Sequence, residues 1–197
     1  MLVPPFMRGV RKRSYPVNSL DRDSLISVRG QSDVVEVSAL NPADSMIMDV
    51  FKRLGLTVTI PPGAKEAFRV ATQPPNGGPI VEVIRPTPEA DFYIIAMGIA
   101  VAKEHQDALR SLPPERRREF LLRLKKDILR YEVDMAFLPP DKEVPEAVQV
   151  TRLVFADGLD PNRLLDNYYK VRNAGLDFMI TLADTFRDVQ KGRTTYL

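Results

Sequence analysis

The chain has 197 residues, with 28 basic and 26 acidic side chains, one histidine and no cysteine. That length suits one domain plus an appendage. The missing cysteine excludes disulfides and thiolate chemistry, and no run of about eighteen apolar residues offers a membrane span. The segment Met1–Arg8 has Pro4 and Pro5 in place of the long apolar core of a signal peptide, so a cytoplasmic location is expected.

In chain order, residues 1–32 read as a basic extended arm. Arg8, Arg11, Lys12, Arg13, Arg22 and Arg29 stand there against Asp21 and Asp23, while the whole chain carries only +2. Pro4, Pro5 and Pro16 oppose a helix in the arm. Val34-Val35-Glu36-Val37 has the composition of a short strand and opens an α+β domain expected over 33–190, with a short tail at 191–197.

Asn41-Pro42 is a helix start, with an Asn cap and proline at the first helical position. Ile47, Val50, Phe51 and Leu54 follow at helical spacing, and Gly55 supplies the stop. Strands are expected at Leu56–Ile60, Glu66–Thr72, Ile80–Ile84 and Asp91–Met97. They are separated by Pro61-Pro62-Gly63, the Pro74–Pro79 turn, Pro86 and Pro88. Continuous apolar stretches in two of them call for cover on at least one sheet face.

A helix is expected over Ile99–Leu112, and Pro113-Pro114-Glu115 breaks it and starts another. Phe120, Leu121, Leu124, Ile128 and Tyr131 form the apolar stripe of that second helix. Strands at Glu132–Leu138 and Val148–Phe155 come next. Asp160-Pro161 then opens a helix running to about Gln190, which either bends at Gly175 or meets another surface.

The fold class that follows is α+β: a curved antiparallel sheet with helices on one face, in the order α-β-β-β-β-α-α-β-β-α. No internal repeat is present. The lack of cysteine, few amides and 17 prolines fit a chain selected for heat, so a thermophilic source is expected.

Four signals carry a resemblance over residues 41–190. They are the Asn41–Gly55 helix, the hairpin around Asn76-Gly77-Gly78, the Pro113-Pro114-Glu115 helix start and the Asp160-Pro161 helix. In these the chain resembles archaeal uncharacterised proteins with a type III secretion chaperone-like fold. The resemblance implies a small protein that binds other proteins, often as a dimer, and it supplies no catalytic residue. The basic arm lies outside it.

The arm interleaves Phe6 and Tyr15 with Arg8, Arg11, Lys12 and Arg13. Guanidinium groups grip phosphates and stack on bases, and aromatic rings stack on unpaired bases. Arg8, Arg11, Lys12, Arg13, Tyr15, Arg22 and Arg29 are therefore the expected RNA contacts. Arg116, Arg117, Arg123, Lys126 and Arg130 form a secondary basic patch on a helix. The plainer reading of that patch is a solvated helix face.

His105 has no facing nucleophile and reads as a surface helix residue. Asp177, Asp184 and Asp188 read as a solvated stripe rather than an acid–base or Mg²⁺ site. Met46 is expected in the core and Met48 exposed. No catalytic residue, metal ligand or cofactor motif emerges, and Gly77-Gly78 is a turn, not a phosphate cradle.

The first expectation is a non-enzymatic, RNA-associated protein, a ribosomal or ribosome-associated component whose arm contacts phosphate and whose body contacts protein. The alternative is a chaperone-like homodimeric adaptor that binds a protein segment. Neither calls for a membrane or a small-molecule substrate.

Overall fold

A computed structural model describes residues 41–187. The arm, the expected strand at 34–37, Asp188 and the tail lie outside the described residues. Within them, α1 (Pro42–Arg53) leads to β1 (Thr57–Thr59), β2 (Phe68–Gln73), β3 (Val81–Arg85) and β4 (Phe92–Ala100). Then come α2 (Lys103–Ser111), α3 (Pro114–Leu129), β5 (Asp134–Leu138), β6 (Ala147–Phe155), a 3-10 turn at Ala156–Gly158, and α4 (Pro161–Thr185).

The helix starts form as the side chains dictate. Asn41 Oδ1 accepts from the Ala43 amide at 3.0 Å and Asp160 Oδ1 from the Arg163 amide at 2.8 Å. Each satisfies a donor that the first helical turn leaves open. After α1, Gly55 takes φ +71°, a left-handed conformation that glycine adopts at least cost. The β2–β3 hairpin turns through Gly77 and Gly78, both at positive φ.

The six strands form one antiparallel sheet in the order β1-β2-β3-β4-β6-β5. The α2–α3 connection carries the chain from β4 to the edge, and β6 returns to fill the gap. The sheet therefore ends in β1 on one side and β5 on the other. This is the expected α+β order, with the β4–α2 boundary displaced furthest. Ile99 and Ala100 belong to β4, paired with Val148 and Ala147, and helix begins only at Lys103. The apolar run carries no signal of that boundary, and the pairing with β6 extends the strand.

Side chains alternate between the sheet faces. Val70, Val81, Val83, Tyr93, Ile95, Met97, Ile99, Val148 and Val150 point to one face and are buried. The helices cover that face with Ile47, Val50 and Phe51 from α1, Leu124 and Ile128 from α3, and Leu164, Val171, Phe178 and Leu182 from α4. Met46 and Met48 are both half-buried against this core.

The long α4 runs unbroken through Gly175. A Cβ there would collide with Met97 Sδ and lie 3.3 Å from Ile99 Cδ1. The glycine therefore marks where α4 presses onto β4, not a bend. At 25 residues the helix is about 37 Å long.

Candidate functional site

Three places bring polar or exposed apolar side chains together. The first is buried. Arg85 on β3 donates to Asp44 on α1 through Nη2 at 2.7 Å and Nε at 3.3 Å, and to the carbonyls of Thr87 and Pro88 through Nη1. Tyr93 on β4 donates to Asp44 Oδ1 at 2.7 Å. Its partner Asp44 holds the guanidinium above its usual pKa. Burial, then the bond to Asp44, pushes the Tyr93 phenol well up. The Asp44 oxygens are engaged, and Asp44, Arg85 and Tyr93 are all buried. It clamps α1 to the sheet.

The second place is the sheet face that no helix covers among the described residues. Register sets Ile84 beside Ile94, Ile94 beside Leu153, and Phe92 beside Phe155. The five side chains form one apolar block across β3, β4 and β6. Leu153 is 48% exposed and Phe155 56%. The Phe92 and Phe155 rings meet edge to face, with centroids 6.4 Å apart. Arg69, bidentate to Glu82 at 2.9 and 3.0 Å and paired with Glu66 at 3.2 Å, borders the block beside Ile84. Both charge signs thus flank the patch.

The third place is a groove of about 520 Å³ between α3 and the edge strand β5. Leu121, Leu122 and Phe137 give it an apolar floor, and Arg118 and Lys125 stand at its rim. Arg118, Leu121, Leu122 and Lys125 are spaced at i, i+3, i+4 and i+7, so they share one helix stripe. That stripe is separate from the core stripe of Phe120, Leu124 and Ile128.

The sequence-derived basic patch is only partly assembled. Arg116, Arg123, Lys126 and Arg130 are exposed on the opposite flank of α3. Arg116 meets Glu119 at 3.9 Å and Arg130 meets Asp127 at 3.4 Å, both weak exposed pairs. Arg123 lies over the Phe120 ring at 5.9 Å instead of pairing with Glu119. Arg117 does not join this flank: its side chain is 11% exposed and pairs with Glu143 of the β5–β6 connection. Arg8, Arg11, Lys12, Arg13, Tyr15, Arg22 and Arg29 lie outside the described residues.

His105 corrects the expectation of a surface residue. It is 8% exposed and packs near the Phe186 ring, with centroids 6.3 Å apart. Its Nε2 has no hydrogen-bond partner in the described structure. Helical position alone did not reveal the packing of α2 against the end of α4.

Asp184 pairs with Arg187, and Asp177 is half-buried. Among the described residues no group of three or more metal-ligating side chains converges, and no helix is long and apolar enough to cross a membrane. Sequence reasoning missed Leu122, Leu129, Leu153 and Phe155, all exposed apolar residues. Leu122 and Leu129 could have been found as apolar positions off the core stripe.

Together these features define, over the described residues, an α+β protein with an open six-stranded antiparallel sheet, four helices and two exposed apolar surfaces of different charge. The chain belongs to the family described as "Uncharacterized conserved protein (DUF2299)", whose model matches residues 43–182. It is also similar to a protein of known crystal structure, described as an uncharacterized protein from Methanothermobacter thermautotrophicus. The two share 27% identity with a TM-score of 0.66, over 73% of this chain and 99% of that one. The comparison with curated proteins gives no match.

Proposed function

We propose that the protein is a non-enzymatic docking module, a homodimeric adaptor of the type III secretion chaperone-like kind that holds a segment of another protein. The apolar block of Ile84, Phe92, Ile94, Leu153 and Phe155 carries this reading. Contiguous exposed apolar surface rimmed by polar groups marks interaction sites. A second copy is its occupant, because the flanking Arg69, Glu66 and Glu82 carry both signs and do not set up one-signed repulsion between identical faces.

Light scattering on the full chain tests this. The wild type is expected at twice the monomer mass and Leu153→Glu at the monomer mass, both unaffected by salt. A monomeric wild type at high concentration overturns the dimer.

A second reading is an RNA-associated protein, a ribosomal or ribosome-associated component. The exposed cations Arg116, Arg123, Lys126 and Arg130 favour it, together with the basic composition of residues 1–32. Deleting residues 1–15 is expected to weaken RNA binding and flatten its salt dependence, by about 0.7–0.9 in log–log slope for every phosphate that the arm no longer neutralises. An unchanged slope overturns the arm's role.

A further inference from the structure

The groove between α3 and β5 has a different character from the open sheet face. Its apolar floor is Leu121, Leu122 and Phe137, and its rim is cationic. Of the charges around it, Arg117 and Glu143 neutralise each other. Glu115 sits in the first turn of α3, where the helix dipole favours a carboxylate. Arg118 and Lys125 have no ion-pair partner among the described residues, and both lie on the stripe that holds Leu121 and Leu122.

Two residues on or beside this stripe are apolar without being core. Leu122 is 51% exposed and Leu129 46%. An exposed leucine between unpaired cations gains nothing from the protein's own core, whereas a bound apolar side chain would cover it.

The groove also borders a sheet edge. Among the described residues β5 is the last strand, bonded to β6 on one side only, and its outer row of N–H and C=O groups has no strand partner there. Short edge strands next to an apolar groove suit strand addition, in which main-chain bonds hold an extended peptide and pockets read alternate side chains.

We infer that this groove binds an extended acidic peptide segment of a partner protein, laid along β5, with apolar side chains on Leu121, Leu122 and Phe137 and carboxylates on Arg118 and Lys125. The inference rests on the adaptor reading and assigns the segment that the adaptor holds. A second copy does not fit here as it fits the sheet face, because two cationic rims would face each other. A flat anionic lipid surface is disfavoured because the groove is also lined by Phe137 and by the Glu143 carboxylate of the β5–β6 connection.

The test uses the full chain and a fluorescein-labelled synthetic peptide repeating Glu-Ser-Val-Ser, which sets Glu and Val on the same face of an extended strand, beside a control with Lys in place of Glu. Fluorescence anisotropy should show binding of the Glu peptide alone, weakening as salt rises. Leu122→Glu, and separately the pair Arg118→Glu with Lys125→Glu, should weaken it at least about tenfold. These residues are exposed, so unchanged thermal melting would confirm that each variant folds. Bound peptide should slow hydrogen exchange in Met135–Leu138.

Equal affinity for both peptides, no binding of the Glu peptide, or full binding by both folded variants overturns the proposal. So does co-sedimentation with phosphatidylglycerol vesicles that the same variants abolish, because the stripe would then be a membrane contact. Leu153→Glu separates the two claims. A monomer that still binds the peptide supports the groove on its own, and a dimer that binds no peptide removes the groove and leaves the sheet-face contact standing.

Discussion

The two faces of the sheet are built from the same strands and treat polar groups in opposite ways. On the covered face Arg85, Tyr93 and Thr72 are almost wholly removed from water, and each is bonded. Arg85 and Tyr93 meet at Asp44, and the Thr72 hydroxyl lies 2.8 Å from the Val81 carbonyl and 3.0 Å from the Tyr168 hydroxyl. On the open face Arg69 and Glu82 are half-exposed and paired across strands, while Ile94, Leu153 and Phe155 meet solvent. On the covered face these buried strand side chains are closed in energetic terms, since each has a partner. The open face has apolar area still to bury, which is the condition for docking.

The largest effect that would sharpen this contrast comes from the covered face. Asp44→Ala leaves the Arg85 guanidinium buried with one anchor gone, and breaking a buried pair in this way costs about 3–5 kcal/mol. Urea unfolding is expected to show that loss with the slope unchanged. A cost below about 1 kcal/mol would mean the cluster is more solvated than its geometry implies.

Gly175→Val comes next, with an expected cost of about 1–3 kcal/mol from forcing Met97 aside in a packed core. Gly175→Ala should cost less, because alanine regains about 0.8–1 kcal/mol of helix propensity. Thermal melting of both variants checks the order.

The smallest effect belongs to the open face. Leu153→Glu should change monomer stability by less than about 0.5 kcal/mol while abolishing the dimer. A large loss of monomer stability would show that this face is covered from within the chain, and the contrast between the faces would fail.

Much of the fold is written locally. Asn41-Pro42 and Asp160-Pro161 announce their helices because the capping oxygen and the ring act within a few residues. Pro74–Pro79 announces the hairpin for the same reason. The end of β4 is not local: Val101 donates to the Glu146 carbonyl at 2.8 Å, far along the chain, and the strand runs on to meet β6. His105 likewise depends on Phe186, some eighty positions away.

The groove is half legible. Its cations stand out in the sequence, but charge alone groups them, and Arg117 falls with a flank it does not share. The leucines between them have the right period for a second stripe, yet one apolar stripe already accounts for the helix and masks the other. The open face is hidden by the continuous apolar runs, which give no sign of which face the helices leave bare.

The seat of Gly175 on Met97 has a consequence for the length of α4. The backbone-to-side-chain approach fits at one position only, so it acts as an indexing notch that stops the helix from sliding or rotating across the strands. One residue inserted between Pro161 and Gly175 would turn everything beyond it by about 100° and present a different side chain to the sulfur. Relatives that keep this seat should therefore vary in their loops and hold the count of residues in that half-helix constant.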